Sequence, residues 1–147
     1  MNQIIPQLYI TDIETARRTS SPTDVVVTVC QEDIEDNVSE KCSYKWFNMS
    51  DGDTGYGGRS DYGIFKEACD TVISHLEKGD SVLVHCHVGK SRSAAVCITS
   101  LAVFEELRYN EAYKKVNEAR PFINPNSLLV EHANRYINES MGLMENQ

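Results

Sequence analysis

No run of apolar residues in this chain approaches the roughly 18 to 20 that a membrane-spanning helix needs. A helical span is therefore not expected. Positive charge is scarce as well: 14 lysines and arginines face 22 aspartates and glutamates, a formal net charge of −8. That balance leaves no broad basic face to neutralise duplex nucleic acid. There are only four prolines, and neither a repeat nor a low-complexity linker divides the 147 residues, so a single domain over 1–147 is expected. The five cysteines, at 30, 42, 69, 86 and 97, are odd in number and lack paired spacing. They fit reduced thiols better than a disulfide framework. The N-terminus "MNQIIPQLYITD" has no basic n-region and no long apolar stretch, and with the reduced thiols this points to a cytoplasmic protein.

What is present is ordinary for a globular chain: 41% hydrophobic and 24% charged residues, enough to bury a core. "DVVVTVC" (24–30) and "SVLVHC" (81–86) are short β-branched apolar runs and predict buried parallel strands. "LYI" (8–10) and "YKWFNM" (44–49) predict two more strands. Between Asp61 and Lys78, Ile64, Phe65, Ala68, Cys69, Val72, Ile73 and Leu76 share one helical face, and Gly79 closes it. Residues 91–107 are apolar nearly all round, which predicts a helix buried in the middle of the domain. Two amphipathic helices follow, with Asn110 and Asn126 as their expected caps. Strands alternating with helices give an α/β architecture: a central, mostly parallel sheet of about four or five strands flanked by helices.

The stretch "SVLVHCHVGKSRSAAV" (81–96) carries the chemistry. A strand ends near His85 and a helix begins near Ser91 or Arg92. The short loop between them can turn its backbone N–H groups inward beside the positive end of the helix dipole, which suits a phosphate. Gly89 lets the chain turn where a Cβ would obstruct. Arg92 offers a planar, two-pronged donor for two phosphate oxygens. Cys86 sits at the entrance, where those dipoles and Arg92 favour thiolate over thiol. A thiolate facing a bound phosphorus atom is an in-line nucleophile.

Rival readings of the same residues are weaker. "GKS" (89–91) suggests a nucleotide-binding P-loop, but that motif needs a glycine where Val84 stands. "HCH" suggests metal ligation, yet adjacent residues on an extended strand point to opposite faces. No nearby CxxC or HxxxH supplies further ligands, so neither a metal nor any other cofactor is expected. A lone cysteine is usually a buried structural residue. The glycine and arginine at these spacings argue against that here.

His85-Cys86-x-x-Gly89-x-x-Arg92-Ser93 resembles the HCxxGxxR[ST] signature of the cysteine-dependent protein tyrosine phosphatases. The small dual-specificity branch is the nearest likeness. "IIPQLYI" resembles its first strand, "WFNMSD" the strand leading to its general-acid loop, and "ARPFINPN" (119–126) its segment between the last two helices. The resemblance covers residues 4 to about 138. It implies a phosphocysteine intermediate on Cys86, a phosphate clamp at Arg92, and a cradle built from His87, Val88, Gly89, Lys90, Ser91 and Arg92. It further implies that the Ser93 hydroxyl helps the thiolate leave, that His85 orients the loop, and that Asn126 is a structural support.

The same resemblance requires a general acid on a loop before the cysteine, to protonate the departing oxygen. "SDGDTGYGGRS" (50–60) holds Asp51 and Asp53, 35 and 33 positions before Cys86, among glycines at 52, 55, 57 and 58. Spacing favours Asp53, whereas the register of "FNMSD" favours Asp51; Asp51 is the preferred acid and Asp53 the reserve. The implied substrate is a phosphorylated protein, phosphotyrosine first and phosphoserine or phosphothreonine as well. Lys90 and His87 leave phosphoinositide or RNA 5′-triphosphate chemistry as an alternative, and a non-catalytic phosphate-binding module as another. The remaining side chains read as structural: His75 and His132 on helices, partly exposed or satisfied in packing, Cys30, Cys69 and Cys97 as core thiols, Trp46 and Phe47 in the core. Oligomeric state is not legible.

Overall fold

A computed structural model of the chain describes residues 1–19, 23–54 and 58–142, with 53–54 and 58–59 as backbone only. Two strands open the chain, β1 (Asn2–Ile5) and β2 (Leu8–Thr11), followed by α1 (Ile13–Arg18). β3 (Val25–Thr28) and β4 (Ser43–Trp46) come next, then a short ribbon of β5 (Asp53–Thr54) and β6 (Gly58–Arg59). The second half holds α2 (Tyr62–Glu77), β7 (Val82–His85), α3 (Arg92–Phe104), α4 (Tyr109–Ala119) and α5 (Ser127–Ser140).

The main sheet has five strands in the order β1-β2-β7-β3-β4, and every neighbouring pair except β1–β2 is parallel. β7 is central, with Val82 in register between Leu8 and Val25 and His85 between Thr11 and Thr28. All four residues of β3 and of β7 are buried, as the continuous apolar runs require when both faces are covered. α3 lies against β2 and β7 and packs on α2, α4 and α5. Its residues 93–102 are all buried, which explains why the sequence there is apolar on every side.

Some sequence expectations shift. The expected first strand is the second of an antiparallel pair, and the strand expected over 44–49 ends at Trp46. Trp46 is not in the core: it is 42% exposed, and its indole N–H donates to the Cys30 carbonyl at 2.9 Å. Asn110 lies inside α4, whose cap position is Arg108; there the Glu111 carboxylate accepts the free Arg108 N–H at 2.9 Å. Cys30, Cys69 and Cys97 are buried free thiols, and burial pushes all three toward the neutral form.

Candidate active site

Parallel strands deliver their C-terminal ends, and the loops that follow, to one edge of the sheet. β7 ends there at His85, and α3 starts at Arg92. Between them four successive carbonyls are held on the outside of the loop. His87 O accepts the Ile13 N–H at 3.0 Å, and Lys90 O accepts the Asn124 N–H at 2.7 Å. Arg120 holds the middle two, donating from Nε to Gly89 O at 2.7 Å and from Nη2 to Val88 O at 2.8 Å. In a trans peptide the C=O and the following N–H point in opposite directions. Fixing those carbonyls outward therefore turns the N–H groups of residues 88–91 toward the cleft. Gly89 N–H already points at Cys86 Sγ, 3.2 Å away.

Gly89 is required twice over. Its φ is +78°, and a Cβ there would stand 2.6 Å from Thr11 O and 2.8 Å from Arg120 Nε.

Cys86 is 2% exposed, and its Sγ lies 3.1 Å from Ser93 Oγ in the first turn of α3. His85, fully buried, sits under the loop. Its Nδ1 is 3.1 Å from Cys86 O, a carbonyl that can only accept, so Nδ1 carries the proton. The other nitrogen, Nε2, then accepts from Thr28 Oγ1 at 2.6 Å. Burial pushes the His85 pKa down to about 4, and the ring is neutral. Neutral His85 locks the carbonyl of Cys86 without placing a charge beside the sulfur.

Arg92 donates from Nη1 to Met49 O at 3.1 Å, tying α3 to the segment that carries Asp51. Asp51, Cys86, Val88, Lys90, Ser91, Arg92 and Asn124 line one cleft of about 350 Å³. Asp51 Oδ1 is buried and has no hydrogen-bond partner among the described residues. A second hollow, which shares Asp51, Ser91 and Asn124 with the first, continues past Asn126 to Val130. Asn126 caps α5 by accepting the Leu128 N–H at 3.0 Å, and donates its own N–H to Ser91 Oγ at 2.8 Å.

The fold thus brings Asp51, Cys86, Arg92 and Lys90 to one cleft, with Ser93 and His85 behind the sulfur and Asn126 at the side. His87 does not join them: its ring is exposed and lies 3.3 Å from a Glu32 carboxylate oxygen. Asp53 begins β5, but its side chain, like Gly55 and Gly57 of the same loop, lies outside the described residues. Sequence reasoning missed Arg120, Thr28, Asn124 and the Met49 carbonyl. Arg120 is visible in "ARPFINPN", yet nothing local reveals that it reaches 31 residues back to the loop. The other three act through backbone groups or a buried hydroxyl, which no residue pattern marks.

The family model for the dual specificity phosphatase catalytic domain matches residues 14–138. Human dual specificity protein phosphatase 5 is 30% identical over 128 residues, covering 84% of this chain and 32% of that protein. Mouse dual specificity protein phosphatase 14 is 44% identical over 62 residues, 42% of this chain and 31% of that one. The chain thus spans about a third of the length of these relatives. Among solved structures, human DUSP28 superposes with a TM-score of 0.77 at 19% identity, covering 97% of this chain and 99% of that one. The chain belongs to the dual specificity phosphatase catalytic-domain family, within the cysteine-dependent protein tyrosine phosphatase superfamily.

Proposed function

We propose that the chain hydrolyses phosphate monoesters on proteins, phosphotyrosine and also phosphoserine or phosphothreonine, through a phosphocysteine intermediate. One observation carries this reading: the Gly89 N–H points at the sulfur of Cys86, and Arg92 and Asp51 line the same cleft as that sulfur. Cys86 Sγ attacks phosphorus, an S–P bond forms, and the ester P–O bond breaks. Asp51 gives its proton to the departing oxygen. Water then attacks phosphorus, Asp51 takes a proton from it, and the S–P bond breaks as the Ser93 hydroxyl donates to the returning thiolate. Arg92 and the N–H groups stabilise the charge on the equatorial oxygens throughout. The nucleophile, the charge stabilisation and the acid all come from the chain, so no step calls for a metal or other cofactor.

His87 turns to Glu32 rather than to the cleft, so among the described residues Lys90 is the cation that lines it beside Arg92. That favours protein phosphoesters over inositol lipids or RNA 5′-triphosphates. A reducing, cytoplasmic setting fits a mechanism that needs a free thiol. Among the described residues no helix is long and apolar enough to cross a membrane. Side-by-side assay of phosphotyrosine and phosphothreonine peptides, an inositol lipid phosphate and an RNA triphosphate tests the reading. Turnover of the peptides is expected to dominate; turnover of the lipid or RNA alone would overturn it.

A further inference from the structure

His132 reads in the sequence as a helix histidine, partly exposed or satisfied in packing. In the fold it is 9% exposed on α5, with its ring centroid 5.4 Å from that of Tyr62 and 5.6 Å from that of Phe65. Its Nε2 lies 3.2 Å from the Ser60 carbonyl oxygen, which can only accept, so Nε2 bears the proton and donates. Ser60, 3% exposed, donates its own N–H to Gly52 O at 2.9 Å. Gly52 is the residue after Asp51. Its other side rests on Asn126, whose side chain would be 2.5 Å from a Cβ at position 52. Asn126 caps the same α5 that carries His132. One rigid helix therefore holds both ends of the acid-bearing segment: by contact at Gly52, and by a hydrogen-bonded relay through Ser60.

We propose that His132 is a positioning residue for Asp51, acting through the relay His132–Ser60–Gly52. The inference rests on Asp51 being the general acid. An acid must stand within hydrogen-bond reach of the leaving oxygen, and a shift of about 1 Å in a reacting group can cost as much as a hundredfold in rate. The packing of His132 between two aromatic rings orients Nε2, and no other described side chain donates to the Ser60 carbonyl.

His132→Leu and His132→Gln separate this from a merely structural role. Leucine fills the space without a donor. Glutamine places an amide N–H the same number of bonds from Cβ as histidine Nε2, so it can restore the hydrogen bond. Two readouts are taken on each protein: exchange of the Ser60 amide by NMR, and kcat on a phosphotyrosine peptide against an activated aryl phosphate. In His132→Leu, Ser60 exchange is expected to quicken about three- to tenfold, the range for losing one neutral hydrogen bond. The peptide kcat should fall by a similar factor while the activated ester changes less than about twofold, because its phenolate leaves unaided. His132→Gln should restore both. Unchanged Ser60 exchange overturns the tether, and so does an equal loss on both substrates. An unaltered protein that turns over neither substrate overturns the phosphatase reading instead, while the exchange data still decide whether the relay exists.

Discussion

Asn126 and Gly52 touch so closely that a methyl group on Gly52 would stand 2.5 Å from Asn126 Nδ2. The same asparagine caps α5 and donates its backbone N–H to Ser91 in the loop between β7 and α3. One residue thus fixes the segment after Asp51 against the turn that opens α3, and it has little freedom to move because Oδ1 is committed to the cap. Gly52→Ala is expected to destabilise the protein by about 1 to 3 kcal/mol, the usual cost of overpacking, and to lower phosphotyrosine turnover. In an Asn126→Ala background the stability cost of Gly52→Ala should largely vanish. Additive losses, measured as urea midpoints of the four proteins, would mean the two residues do not interact.

Arg92 bonds Met49 O and lines the cleft, and in the proposed reaction its guanidinium would also clamp the phosphate. Lysine keeps the charge but has no two parallel donors. Arg92→Lys is expected to lower kcat by at least about a hundredfold, as when transition-state charge stabilisation is lost. A near-normal kcat would make the arginine structural only.

The aspartate that protonates the leaving oxygen should matter most when that oxygen is basic. Asp51→Asn is expected to cut turnover of a phosphotyrosine peptide by about 10² to 10⁴, with a much smaller loss on an activated aryl phosphate. If Asp53→Asn shows that pattern and Asp51→Asn does not, the acid is Asp53.

His85 gives the fold a pH dependence of known sign. Its pKa is pushed down from 6.5 to about 4, so between those values the unfolded chain binds a proton that the native protein does not. Stability should therefore fall as pH drops through this window and level off, for this group, below it. The full effect is on the order of 3 kcal/mol. Urea midpoints at pH 7, 5.5 and 4.5 for the unaltered protein and His85→Gln give the contribution by difference. Equal slopes in the two would show that folding does not lower the His85 pKa.

The parts of the fold legible in the sequence are those where one physical cause acts over a run of residues. "DVVVTVC" and "SVLVHC" are apolar because both faces of β3 and β7 are covered, and residues 93–102 because α3 is surrounded. The tight turn from β7 into α3 is legible for a different reason: its cysteine, glycine and arginine fall within seven positions, and Gly89 takes a positive φ. The outer support of that turn is not. Arg120 and Asn124 approach from the far end of the chain, and Ile13 contributes only a backbone N–H. Trp46 misleads because an aromatic in a strand suggests burial, whereas β4 is an edge strand and the indole N–H finds Cys30 O there. The sequence leaves His132 either partly exposed or satisfied in packing, and nothing local reveals that its partner is the Ser60 carbonyl.

The central claim is that Cys86 attacks phosphorus, and one variant tests it. Cys86→Ser leaves Arg92 and the inward N–H groups in place but removes the sulfur nucleophile. Turnover of a phosphotyrosine peptide should become undetectable, while the protein still binds the phosphopeptide in a titration followed by calorimetry, with EDTA changing neither result. Turnover that persists in Cys86→Ser, or that EDTA abolishes and zinc restores, would contradict the account.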